Sequence, residues 1–101
     1  MALSAEQKFR VAVGGLGAIG SEVASRLDQG IPGLSLAAVA ARDVEKARRR
    51  IATFRKTVPV VSLGELAGDA DVVVGCVPAG MFWEVAEPAV RAGRIFMPVS
   101  V

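Results

Sequence analysis

The chain has 101 residues, 52 % of them hydrophobic, with 12 lysines and arginines against 10 aspartates and glutamates and a formal net charge of +2. This is one domain's worth of material with enough apolar side chains for a core, and so small a charge excess gives no reason to expect a polyanionic partner. The single cysteine excludes an internal disulfide, and histidine and tyrosine, two common proton donors and acceptors in catalysis, are both missing.

Residues 1–8 are small and polar, carry no motif and read as a loose terminus. They contain no apolar segment of the kind a secretory leader needs, and no apolar run reaches the ~18 residues of a membrane span. A cytoplasmic protein with no membrane partner is expected, and the lone thiol fits a reducing compartment.

Val11, Ala12 and Val13 suit a buried parallel strand, which ends in the glycines of GGLGAIG. Gly15, Gly17 and Gly20 stand in the G-x-G-x-x-G spacing that closes a strand and opens a helix. Each has a separate task. Gly15 allows the tight turn, Gly17 lacks the Cβ that would hold a pyrophosphate away, and Gly20 lets the helix lie close on the sheet.

Ile19, Val23 and Leu27 then recur at four-residue spacing, predicting an amphipathic helix that stops at Gly30 in a left-handed C′ conformation. Leu34 to Ala41 reads as a second buried strand. Asp43 is placed to cap a helix over 44–54, with Ala47 and Ile51 inward and Arg48, Arg49 and Arg50 mostly in solvent. Residues 59–61 make a short third strand, and Ser62-Leu63-Gly64-Glu65 fits a capping box.

Residues 72–77 form the fourth strand. A helix follows over 81–92, with Phe82, Val85, Ala86 and Ala89 as its apolar face and Gly93 at C′, and residues 95–101 form the fifth strand. Alternating strands and helices with right-handed crossovers predict one α/β domain over 1–101, a Rossmann-type doubly wound parallel sheet in the order 3-2-1-4-5.

In that architecture the free N–H groups around Gly17, Ala18 and Ile19 face a dinucleotide pyrophosphate, with Gly15, Leu16 and Gly20 completing the turn. An acid at the end of the second strand would accept from the adenosine ribose and favour NAD. This strand ends Ala40-Ala41-Arg42, so the acid is missing and a guanidinium able to pair with a 2′-phosphate comes next. Ala41 and Arg42 therefore favour NADP over strict use of NAD.

Val77 and Pro78 are placed to contact the cofactor by shape and backbone. Cys76 reads as a small buried apolar residue, since no histidine exists to activate it. Phe82 and Trp83 read most simply as helix-on-sheet packing, Trp83 alternatively as facing another domain. No aromatic residues interleave the arginine run, so no nucleic-acid partner is expected. No residue is assigned a catalytic or metal-binding role.

On these residues the chain resembles the amino-terminal domain of the L-aspartate dehydrogenase family, over about 10–101. The resemblance rests on GLGAIG at 15–20, PGLSLAAVAARDVEKA at 32–47, PVVSLGELAGDADVVVGCVPAG at 59–80, AEPAVRAG at 86–93 and the closing VSV. It implies oxidative deamination of L-aspartate to iminoaspartate with hydride passing to NAD or NADP, and a link to pyridine-nucleotide biosynthesis.

In that family the acid/base histidine and most substrate contacts come from a second domain. The resemblance thus implies a cofactor domain cut after strand five, inactive alone, whose small amino-acid substrate is met through a domain missing from this chain. Ala41, where the family frequently has an acid, and Pro98 in the fifth strand are departures. A β-hydroxyacid-type dehydrogenase domain is the nearest enzyme alternative, because Val77-Pro78 matches its pattern; a nucleotide-sensing module is the alternative from another class. An apolar edge at the fifth strand predicts self-association.

Overall fold

Apolar residues that alternate in direction along a strand must find a helix on each face of the sheet, and this chain supplies both. In the computed structural model, which describes residues 8–99, β1 (Phe9–Gly14) leads through a glycine turn into α1 (Ala18–Gln29). β2 (Leu34–Ala40), α2 (Val44–Ile51) and β3 (Val60–Val61) follow, then β4 (Val72–Gly75), α3 (Phe82–Arg91) and β5 (Ile95–Pro98). Single 3₁₀ turns lie at Leu63–Glu65 and Ala79–Met81. All five strands are parallel, in the expected order β3-β2-β1-β4-β5.

The two faces carry different side chains. Val11, Val13, Val39 and Val74 pack with Ala24 and Leu27 of α1 and Ile51 of α2. Ala12, Ala38, Ala40 and Val73 pack on the other face with Leu66, Val85 and Ala89. A bulge in β2 makes this sorting possible. Val11 pairs with Leu36 but Ala12 with Ala38, so Ala37 is the extra residue and the alternation restarts beyond it. Leu34, Leu36 and Val39 can then all face the α1 layer.

Several boundaries differ from the sequence reading. α2 ends at Ile51, not at residue 54: the Thr53 hydroxyl and N–H both donate to the Arg50 carbonyl, and the Asp28 carboxylate accepts from the backbone of Arg55 and Lys56. β3 keeps only two residues because Pro59 has no N–H to donate, although its carbonyl accepts from Val39 at 3.0 Å. β4 stops at Gly75 and β5 at Pro98, another residue without an N–H. The sequence reading of residues 1–7 and of the last two residues of strand five lies outside the described residues.

α1 buries Gly20, Ser21, Ala24 and Leu27, with Ile19 and Val23 only half-buried. It ends at Gly30, whose φ of 115° and ψ of 116° are not the left-handed helical pair expected there. α3 does end as expected. Gly93 has φ 72°, its N–H donates to the Val90 carbonyl, and the Arg94 N–H donates to the Ala89 carbonyl, closing a Schellman motif.

Trp83 corrects the packing reading. It is 70 % exposed, because the inward row of α3 is Val85, Ala86 and Ala89. Phe82 is the aromatic that reaches the sheet, edge-on to Phe96 with ring centroids 5.4 Å apart. Among the described residues, no helix is long and apolar enough to cross a membrane.

Candidate functional site

The carboxyl ends of three adjacent strands finish level, with Gly14 paired to Ala40 on one side and to Gly75 on the other. Two hydrogen bonds extend the ladder into the turn: the Gly15 N–H donates to the Ala40 carbonyl and the Cys76 N–H to the Gly14 carbonyl, each at 2.7 Å. The glycine turn is thus tied to both neighbouring strands before α1 begins.

The fold demands glycine at two of the three positions. Gly15 has φ +97°, and a Cβ there would lie 2.5 Å from the Cys76 carbonyl oxygen. At Gly20 an added Cβ would overlap the Gly15 carbonyl oxygen, so the helix could not sit where it does. Gly17 differs. Its φ is −72° and nothing lies within 4 Å of where a Cβ would stand. No protein atom explains a glycine there. A Cβ at Gly17 would project into the open cleft.

Gly17 is also the N-cap of α1 and has no side chain to cap with, and Gly17 and Ala18 are exposed. The first N–H groups of a 12-residue helix therefore open onto solvent without a side-chain partner. The Ser21 hydroxyl donates to the Leu16 carbonyl at 2.8 Å, fixing the turn from inside the helix.

One cleft runs along this end of the sheet. Gly15, Leu16 and Gly17 form its floor, Ala41 and Arg42 one side, and Val77 and Pro78 the other. Seven of the residues singled out in the sequence thus meet in one place. Ala18 lines an adjoining cleft over the start of α1. Ile19 packs against the core and Gly20 is buried, so neither presents a side chain to the opening.

Lys46, Arg50, Leu63 and Met81 also line the main cleft, as do Asp43, Ala47 and Cys76. Leu63 and Met81 sit on the two 3₁₀ turns, and nothing local in the sequence marks them. Lys46 and Arg50 had a signal, the four-residue step from Arg42. Asp43 caps α2, accepting from the Lys46 N–H at 3.0 Å, as its position suggested.

Cys76 lines the cleft and is 8 % exposed. Burial pushes its thiol up from the ordinary value, which keeps it protonated and unreactive. Among the described residues no group of histidine, cysteine, aspartate or glutamate could hold a metal ion. The cleft offers backbone N–H groups, an apolar lining and three cations. With the Asp43 carboxylate at its edge, that is equipment for holding an anionic, partly apolar ligand.

The fold and this cleft define a dinucleotide-binding domain, and comparison with known proteins gives its kind. Residues 15–101 match the family described as homoserine dehydrogenase, NAD binding domain, and the chain belongs to that family. It binds NAD(P) through this domain.

Two relatives are L-aspartate dehydrogenases: that of Bradyrhizobium diazoefficiens, 41 % identical over 97 % of this chain, and number 3 of Bordetella bronchiseptica, 40 % identical over 98 %. The chain spans 35 % and 37 % of their respective lengths. Among solved structures, the myo-inositol dehydrogenase of Lactobacillus casei in complex with NAD(H) and myo-inositol superposes with a TM-score of 0.81. At 23 % identity, over 91 % of this chain and 28 % of that one, it shares the fold alone.

Proposed function

We propose that this chain is the cofactor-binding part of an L-aspartate dehydrogenase, in which L-aspartate is oxidised to iminoaspartate and hydride passes to NADP or NAD. The observation that carries the reading is the identity of 40 % and more to two L-aspartate dehydrogenases across nearly the whole chain, together with a glycine at 17 that no protein atom requires. Gly15, Leu16, Gly17, Ala18, Ile19 and Gly20 form the pyrophosphate turn in this reading. Val77 and Pro78 flank the nicotinamide side.

Ala41 and Arg42 select the adenosine ribose. Ala41 removes the carboxylate that would accept from a 2′-hydroxyl, and Arg42 stands exposed at the mouth of the cleft, so NADP is the preferred cofactor. The acid/base group and the contacts to the amino-acid substrate are supplied from outside these residues. The site is that of a cytoplasmic metabolic enzyme, and the chain alone does not turn over substrate.

A chimaera tests this directly. Replacing the matching 98 residues of the Bradyrhizobium diazoefficiens relative with this chain should give a protein that reduces NADP or NAD in the presence of L-aspartate. A folded chimaera that binds the nucleotide but shows no aspartate-dependent reduction would sink the assignment.

A further inference from the structure

Lys46 and Arg50 stand four residues apart, which lays them along one side of α2, and Arg42 precedes Lys46 by the same step, just before the N-cap Asp43. The fold turns that side toward the glycine turn, and all three line the main cleft with Gly15, Leu16 and Gly17. Lys46 and Arg50 also line the adjoining cleft over the start of α1, again with Leu16 and Gly17. The two openings therefore meet at Leu16 and Gly17, between the N-terminus of α1 and two cations of α2.

The charges of these three residues are uncommitted. Arg26, Arg48 and Arg91 each pair with a glutamate three or four residues earlier, at 2.9, 3.1 and 2.8 Å. Arg42, Lys46 and Arg50 make no ion pair with any described residue. Two carboxylates line these openings: Asp43 in the main cleft caps α2 by accepting the Lys46 N–H, and Glu22 in the adjoining cleft pairs with Arg26. Three cations without an ion pair against the single carboxylate of Asp43 in the main cleft, beside helix N–H groups with no side-chain cap, have the electrostatics of a phosphate cradle.

The geometry points to Lys46 and Arg50 as specificity-determining residues that, with Arg42, hold the 2′-phosphate of NADP. This rests on the cofactor reading above and deepens it: the preference is set by a row along α2, not by the one arginine that follows β2. The pyrophosphate is served by backbone at Gly17 and Ala18, so cations arriving from the β2 side are left for the phosphate on the adenosine ribose. Arg49 is the internal control. It has the same charge on the same helix and lines neither opening.

The test is calorimetric titration of the full chain with NADPH, NADH, 2′,5′-ADP and 5′-ADP, for the wild type and for Lys46→Ala, Arg50→Ala, Arg49→Ala and Arg42→Ala. Lys46→Ala and Arg50→Ala should each weaken NADPH and 2′,5′-ADP about 10-fold while leaving NADH and 5′-ADP within about 2-fold. Arg49→Ala should change none of them. The affinity ratio of NADPH to NADH should also fall as salt rises, and fall less steeply in the two variants.

If Lys46→Ala and Arg50→Ala behave like Arg49→Ala while Arg42→Ala abolishes the preference, the cofactor reading stands and this inference fails. An equal loss for NADPH and NADH would place the two cations on the pyrophosphate and also overturn it. A wild type that binds neither nucleotide, or binds both equally, overturns the cofactor reading and this inference together. Thermal melts of each variant keep a folding defect from passing as a binding one.

Discussion

The Ser21 hydroxyl reaches back one helical turn and donates to the Leu16 carbonyl at 2.8 Å, and Ser21 is the one polar residue buried among those described. The bond spans the segment in which Gly17 and Ala18 must aim their N–H groups outward. It fixes the Leu16–Gly17 peptide, whose N–H side belongs to the proposed anion site. Ser21→Ala should therefore cost about 1 kcal/mol of stability. It should also weaken NADPH and NADH by similar factors if the turn serves the pyrophosphate common to both, as proposed. Chemical denaturation and titration measure the two effects. A loss confined to NADPH would contradict this placement.

The glycines divide into two classes that mutation can separate. Gly20→Ala forces a Cβ into the Gly15 carbonyl oxygen and should destabilise the chain by about 1–3 kcal/mol or more. Gly17→Ala meets no atom within 4 Å and should cost no more than about 1 kcal/mol, the difference between glycine and alanine at an N-cap. Binding should invert the order of harm: folded Gly17→Ala is expected to lose at least about 10-fold in affinity for both nucleotides. Unchanged binding by Gly17→Ala would show that the glycine is not there for a ligand.

Acid should expose the link between β1 and the start of β4. The Asp71 carboxylate accepts the Arg10 N–H at 2.8 Å and pairs with the Arg10 guanidinium at 3.4 Å. These hydrogen bonds hold its carboxyl below the ordinary value of about 4. A depressed carboxylate contributes stability that is present above its unfolded-state value and lost as pH falls through its folded-state value. Asp71→Asn should be less stable than wild type at neutral pH, and the gap should close below about pH 4. Urea melts at pH 7 and pH 3 check the sign; a gap that widens in acid would refute it.

The outer edge of the sheet is expected to associate. β5 stands last in the strand order, with Ile95 and Met97 each more than half exposed. Sedimentation velocity should show a concentration-dependent shift above the monomer. Ile95→Lys with Met97→Lys should return the chain to a monomer, because a charge on each exposed position opposes strand pairing. A single monomeric species for the wild type across a wide concentration range would remove the expectation.

Much of this molecule is determined locally. Val11 to Val13 ending in spaced glycines, Asp43 before an apolar-spaced run, and Gly93 after Ala92 each carry their own structural instruction, because strand, cap and C′ preferences act within a few residues. Five strands alternating with helices then leave the order 3-2-1-4-5 as the sensible parallel arrangement, and that arrangement brings Gly15, Ala41 and Val77 to one cleft without further information.

The remainder depends on what lies across the sheet. The bulge at Ala37 exists because β2 must present Leu36 and Val39 to the α1 layer while Ala38 and Ala40 face α3, a demand no strand propensity expresses. Trp83 stands in solvent because Val85, Ala86 and Ala89 occupy the sheet. The α2 cations show the division most directly. Their spacing is written in the sequence, but only the packing of Ala47 and Ile51 fixes how the helix is turned, and so puts Lys46 and Arg50 on the glycine turn and Arg49 away from it.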